Sequence, residues 1–387
     1  MNYNKYSKSN VPGACLFFLL RKVILCSLFT LVVFIAFCQS PTVGAIQPGG
    51  AAVVRPSRNV YHFGADLSFM KQAEDNGFKF KENGEAKPGM KIFADHGYNW
   101  IRLRLMHTPS AWTGESKLPN DLAYTIAVAQ DAKKHGMKFL LDYHYSDTWA
   151  DPGKQHIPAA WVGKSQEELV KAVYDYTLET MRAFDDAGVY PDMVQVGNEI
   201  TPGMLWPNGK ISENPQGFIE LLRAGVNGVL ASVGPTSNVP RIMIHIDKGG
   251  DKVATKSFFD RVIAAGIPFD VIGQSYYPWW HGTLMDLREN LNFMALEYDK
   301  DIIVVEIAYN MELREYKNKP APYPESPEGQ VEFVNAVHEA VMATPNHRGI
   351  GVYWWEPATS RGGGRTYFDR DGNVQPVINV FDKYTRR

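Results

Sequence analysis

The chain has 387 residues, 45% of them hydrophobic and 21% charged, a balance that excludes a disordered polymer. Forty Lys and Arg face 42 Asp and Glu, a formal charge of −2, a balance that argues against a nucleic-acid binder, which needs a basic stripe. Cys15, Cys26 and Cys38 are the only cysteines. All three lie near the start of the chain, so a chain without that segment has no thiol for a disulfide, a nucleophile, an iron–sulfur cluster or a zinc site.

Residues 1–45 read as a secretory leader. They carry Lys5, Lys8, Arg21 and Lys22, no acid, and an apolar run at 23–37 that is short for a membrane span. Two alternatives are an uncleaved anchor and lipid modification at Cys38; the bulky Phe37 before that cysteine argues against the second. Removing the leader takes the formal charge from −2 to −6. The expected location is outside the cytoplasm: secreted, periplasmic or at the cell surface. Residues 46–59, with Gly49, Gly50 and Pro56, read as a linker.

From residue 60 onward short apolar runs alternate with longer amphipathic stretches. Strands are expected at 61–67, 100–105, 138–143, 193–197, 241–246, 270–275, 302–307 and 351–355. Helices are expected at 121–135, 165–187, 216–232, 255–265, 284–299 and 327–343, with a closing turn near 377–382. Apolar strands separated by helices imply a parallel sheet covered on its outer face. Eight such units predict a single-domain (β/α)8 TIM barrel with long βα loops over residues 60–387. No Gly-x-Gly-x-x-Gly follows the first strand, and Gly362-Gly363-Gly364 lacks the Lys-Ser/Thr of a phosphate loop.

Barrel chemistry sits at the C-terminal strand ends. Glu199 closes Met193-Val194-Gln195-Val196-Gly197-Asn198-Glu199, and Glu306 closes Ile302-Ile303-Val304-Val305-Glu306. A lone carboxylate leaving an apolar strand must be paired or take up a proton. Strands four and seven face each other across the mouth, so the two can converge on one bond, as glycoside cleavage requires. Asn198 can donate to a hydroxyl beside the reacting carbon. Arg102 and Arg104, two apart, point to one face and want carboxylates. His144, Asp147 and Trp149 follow strand three; His245 and Asp247 end strand five; Tyr276, Tyr277, Trp279 and Trp280 follow strand six; Trp354, Trp355 and Glu356 end strand eight. Aromatic faces among hydrogen-bonding groups suit sugar rings, although any single Trp is more often core.

These strand ends resemble the retaining glycosidases of clan A, and more specifically glycoside hydrolase family 53, the endo-β-1,4-galactanases (arabinogalactan endo-β-1,4-galactosidases). The resemblance rests on Leu141-Asp142-Tyr143-His144-Tyr145-Ser146-Asp147-Thr148-Trp149-Ala150-Asp151-Pro152-Gly153, Gly64-Ala65-Asp66-Leu67-Ser68, Val196-Gly197-Asn198-Glu199 and Gly351-Val352-Tyr353-Trp354-Trp355-Glu356-Pro357. It runs from about Tyr61 to Tyr384. It implies Glu199 as general acid/base, Glu306 as nucleophile and net retention. Asp66, Arg104, His144, Asp147, Trp149, Asn198, His245, Tyr276, Tyr277 and Trp355 are the expected substrate-binding residues. Arg104 is the arginine expected to steady Glu306, Tyr276 or Tyr277 the tyrosine to bond it, and Trp355 the floor of the cleaved ring's subsite.

The resemblance also raises a calcium ion between the loops after strands seven and eight. Asp369-Arg370-Asp371-Gly372-Asn373 has alternating oxygens but no bidentate Glu at the right spacing, so an Asp-Gly turn is expected there. His144 and His245 are too far apart for a His-x-His zinc motif. No cofactor, no catalytic metal and no protein partner are expected, and the chain should be a monomer acting on β-1,4-galactan. Two rivals stand: a clan A endo-glycanase on mannan or glucan, and a catalytically inactive galactan-binding barrel. The presence of both glutamates argues against the latter.

Overall fold

A computed structural model describes residues 60–114, 118–234 and 238–385. The leader at 1–45, the linker at 46–59 and Cys38 lie outside the described residues. Eight parallel strands close a barrel in sequence order: β1 His62–Asp66, β2 Trp100–Leu105, β3 Lys138–Tyr143, β4 Met193–Val196, β5 Arg241–Ile246, β6 Val271–Tyr276, β7 Asp301–Ile307 and β8 Gly349–Trp354. Each pairs with its sequence neighbours, and β1 pairs with β8. The longer helices are α1 Gly89–Asp95, α2 Leu122–Lys134, α3 Gln166–Asp186, α4 Pro215–Ala231, α5 Lys252–Ala264, α6 Leu284–Glu297 and α7 Pro327–Met342; a short helix, Met70–Asp75, follows β1, and a 3-10 turn, Pro376–Phe381, follows β8 and runs into a last helical turn, Asp382–Thr385.

The strands were legible as short, mostly apolar runs set between longer amphipathic stretches. The helix starts obey their caps. Ser165 and Thr283 form capping boxes with Glu168 and Asp286, and Asp251 accepts from the Ala254 amide, starting α5 at Lys252 rather than the expected 255. The sequence pattern passed over α1 because its seven residues make barely two turns.

Along β2 the period of two sends Ile101, Leu103 and Leu105 outward beneath the helices, and Trp100, Arg102 and Arg104 inward. The lower barrel interior is an apolar plug that includes Trp100, Leu140, Met193, Met243, Val271, Ile303 and Tyr353. It is tight: a Cβ on Gly64 would sit 2.4 Å from the Tyr353 ring. Above the plug the interior turns polar, and the segments after β3, β4, β5, β6 and β8 wall a cleft over it.

Candidate active site

The floor is organised by Arg102, fully buried one rung above the plug. Its Nη1 donates to Glu306 Oε1 at 2.7 Å and to Asp66 Oδ2 at 3.1 Å; its Nη2 donates to Asn198 Oδ1 at 2.7 Å; its Nε donates to Gln195 Oε1 at 3.2 Å. Asp142 Oδ2 lies 2.9 Å from Nη2. Burial alone would loosen the guanidinium's proton, but Asp142, Glu306 and Asp66 outweigh it and hold Arg102 above the ordinary arginine range. Asp142 in turn is held low: burial opposes its charge, and Arg102 and His144 overcome that.

The arginine beside Glu306 is therefore Arg102, not the expected Arg104. Arg104 stands one rung higher, sandwiched between the Phe69 and Trp149 rings at 4.5 Å each, and its Nη1 donates to Glu356 Oε1 at 3.0 Å. Being nearer the strand end carried it past Glu306 and into the cleft wall, where its buried Nε and Nη2 have no hydrogen-bond partner.

Glu306 accepts at both oxygens: from Arg102, and at Oε2 from the Tyr277 hydroxyl at 2.7 Å. Tyr277 is thus the tyrosine of the pair. Tyr276 is still in β6 and points outward, stacking on Phe333 with its hydroxyl on the Gly282 carbonyl at 3.2 Å. A register shift between Gln274 and Ser275 sets Ser275 opposite Glu306. That places the Ser275 hydroxyl 2.6 Å from Glu199 Oε1, to which it donates.

Glu199 follows Gly197, whose φ of 84° turns the chain out of β4, and itself sits at φ 46°, a conformation that costs a non-glycine residue of order 1–3 kcal/mol. Burial, and then the nearby Glu306, push the Glu199 carboxyl well above the usual carboxylate range. One oxygen of each glutamate lies within 4.8 Å of the other.

Several expected contacts do not reach the cleft. His245 is fully buried below it. Its Nε2 lies 2.9 Å from Ser275 Oγ and its Nδ1 3.1 Å from Asn198 Oδ1, so it steadies the residues that flank Glu199. Burial, then Arg102, keep its ring well below the ordinary histidine value, hence neutral. Asp66 is spent on Arg102 and on the Ser68 amide. Asp147 accepts from the Thr108 and Ala159 amides at 2.9 and 2.7 Å, pinning the loop after β3. In each case a short acid or histidine near a strand end found backbone or side-chain donors beneath the mouth.

Six expected residues do line the cleft, which measures about 530 Å³: Arg104, His144, Trp149, Asn198, Tyr277 and Trp355. Trp149 and Trp355 form an aromatic corner, 6.2 Å between rings at 58°. His144 accepts the Ala150 amide at Nδ1 and turns Nε2 to Asp142, so it shapes the wall. Asn198 Nδ2 donates to the Ala150 carbonyl at 2.8 Å.

Sequence reasoning missed Ser275, Gln195 and Arg365. A hydroxyl one residue before a strand end, a mid-strand amide and a loop arginine carry no local signal, since only the closed barrel brings them together. The Trp354 ring, expected at the mouth, is buried beneath Arg365, with its Nε1 on that residue's carbonyl.

Glu199, His245 and Glu306 could bring three donor atoms together for a metal. The arrangement opposes it, because Arg102 already holds one Glu306 oxygen and both His245 nitrogens have partners. Segment 369–373 is an Asp-Gly turn: Asp369 Oδ1 accepts the Asp371 and Asn373 amides, and Gly372 takes φ 86°.

The profile of the family described as glycosyl hydrolase family 53 matches residues 62–386. An uncharacterized protein of Niallia circulans is 42% identical over 76% of this chain and 83% of its own. A probable arabinogalactan endo-β-1,4-galactanase A of Aspergillus terreus is 39% identical over 78% of this chain and 86% of its own. Among solved structures, one of two fungal β-1,4-galactanases superposes with a TM-score of 0.75 at 34% identity, covering 83% of this chain and 98% of its own.

Proposed function

The chain belongs to glycosyl hydrolase family 53, and from that premise we propose that it is an arabinogalactan endo-β-1,4-galactanase, cleaving internal β-1,4-galactosidic bonds of galactan by a retaining, two-carboxylate mechanism. The carrying observation is the pair Glu199 and Glu306, with oxygens within 4.8 Å. Retaining pairs stand about 5–5.5 Å apart, and inverting pairs roughly 6.5–9.5 Å, to admit water.

In the first step Glu306 attacks the anomeric carbon as Glu199 protonates the departing glycosidic oxygen. The bond to that oxygen breaks, and a glycosyl ester forms on Glu306. In the second step Glu199, now a carboxylate, takes a proton from water as the water oxygen attacks the same carbon, and Glu306 is released. Arg102 and Tyr277 hold both Glu306 oxygens in line. Burial beside Glu306 keeps Glu199 protonated until it is needed. Trp149 and Trp355 offer ring faces to the sugar's C–H surface.

The mechanism draws on no metal or cofactor. The leader supports action outside the cytoplasm, and among the described residues no helix is long and apolar enough to cross a membrane. A monomer suits an enzyme whose substrate is a polymer.

The test is reducing-sugar release from linear β-1,4-galactan, with β-mannan and soluble β-glucan alongside and a Glu199→Ala, Glu306→Ala double variant as blank. Galactan cleavage absent in the blank is the expected result. Cleavage of mannan or glucan instead would move the specificity to the loops. Binding without cleavage would make this barrel a lectin-like protein.

A further inference from the structure

The cleft does not end at Trp355. Arg365 lies with its guanidinium carbon 3.8 Å over the Trp355 ring, and it lines both the cleft and a second recess of about 680 Å³ formed largely by the segments after β7 and β8. Glu356 joins the two as well, since it lines the recess and accepts from Arg104 of the cleft wall at 3.0 Å.

This recess is basic. Arg314, Arg361, Arg365 and Arg370 line it against two carboxylates, Glu312 and Glu356. Arg370 is consumed by Glu312, gripped at 2.6 and 2.7 Å. Arg365 shares Glu356 with Arg104. Arg314 makes a loose 3.7 Å approach to Glu315 and shares the field of Glu312, whose short contacts go to Arg370. Arg361 is exposed and in ion pair with no carboxylate among the described residues. The wall beside them is bare backbone: Gly362, Gly363 and Gly364 run at φ 57°, 67° and 59°, conformations that glycine takes without penalty. A Cβ on Gly364 would stand 3.7 Å from Arg314 Nη1.

Guanidiniums are the side chains best matched to planar oxyanions. A neutral galactan offers these guanidiniums hydroxyl acceptors but no charge to match theirs. We propose that the recess takes an oxyanion substituent of the glycan lying in the cleft, a uronate carboxylate or a sulfate ester, with Arg314 and Arg361 as its recognition residues. The proposal rests on the glycosidase reading of the adjoining cleft. It makes the enzyme one that favours acidic, substituted stretches of its polymer over plain ones.

The experiment compares three probes at low and high salt: β-1,4-galactotetraose, the same tetraose oxidised at C6 of a terminal ring to a uronate, and the tetraose sulfated at that C6. The expected result at low salt is a KM about three- to tenfold lower for a charged probe than for the neutral one, as two partly exposed charge pairs would give. That advantage should fade at high salt and vanish in an Arg314→Ala, Arg361→Ala double variant whose kcat and KM on the neutral probe are unchanged. A gain for one charged probe alone identifies which oxyanion is read. Equal KM for all three probes, or a preference that survives the double variant, overturns the proposal. If the unaltered protein cleaves neither the tetraose nor galactan, the glycosidase reading fails. Calorimetric titration with the same probes then decides the recess separately, and equal affinity for neutral and charged probes overturns it too.

Discussion

At the residue scale the site is an unequal pair of carboxylates. Glu306 has both oxygens engaged by Arg102 and Tyr277, whereas Glu199 has a single hydroxyl, that of Ser275, and a desolvated setting. Glu306→Ala should therefore reduce turnover to blank on every substrate. Glu199→Ala should lose about 10²–10⁴-fold on galactan but far less on an aryl galactoside whose leaving group needs no proton; equal losses would invert or void the roles.

The raised Glu199 carboxyl also ties activity to pH. The first step needs its proton, so kcat/KM should fall as pH rises through the raised value. The Ser275 hydroxyl donates to the ionised form and pulls that value down. Ser275→Ala should accordingly move the alkaline limb to higher pH, and Ser275→Thr should restore it; an unmoved limb in the alanine variant would show that the hydroxyl does not act on Glu199. Stability follows the same group. A carboxyl whose folded value is raised contributes fully below the ordinary carboxyl range, and that contribution is lost as pH climbs through the raised value. Glu199→Gln carries no charge at any pH, so its melting temperature should exceed the parent's at alkaline pH, with the gap closing on acidification. A gap independent of pH would deny the shift.

At the scale of elements, β2 shows how a strand builds both core and site. Trp100 belongs to the plug, Arg102 to the catalytic floor and Arg104 to the cleft wall, each two residues on. The position of Arg102 depends on the tightness of the layer beneath, where β1 approaches β8 with only a glycine between. Gly64→Ala would force a methyl to 2.4 Å from the Tyr353 ring and should cost about 1–3 kcal/mol of stability, measured by denaturant unfolding. An unchanged midpoint would mean that the plug yields more easily than its packing suggests. The register shift of β6 against β7 is the other element-level device, since an unbroken ladder would not set Ser275 beside Glu306.

For the whole molecule, the barrel converts two distant sequence positions into one reaction centre. β4 and β7 are separated by two strands on the wall, yet their exits meet across the mouth with oxygens within 4.8 Å. This closeness predicts the stereochemistry: proton NMR of the first product formed should show the β-anomer, which then mutarotates. An initial α-anomer would mean that the working separation is wide enough for an intervening water.

The eight barrel strands, the six longest helices and both glutamates were legible in the chain because each is written locally, in runs of apolar residues, in period, and in a lone charge ending a strand. The short α1 was not, for want of enough turns to show a period. Local pattern also could not choose between neighbours. Arg102 over Arg104 was decided by which rung of a closed barrel each occupies, and Tyr277 over Tyr276 by which face of the barrel wall each points to. Asp66, Asp147 and His245 were drawn below the mouth by donors from other strands and loops. Whether a polar group at a strand end meets substrate or supports another side chain depends on partners far away in sequence, and only the closed tertiary structure brings those partners within hydrogen-bonding distance.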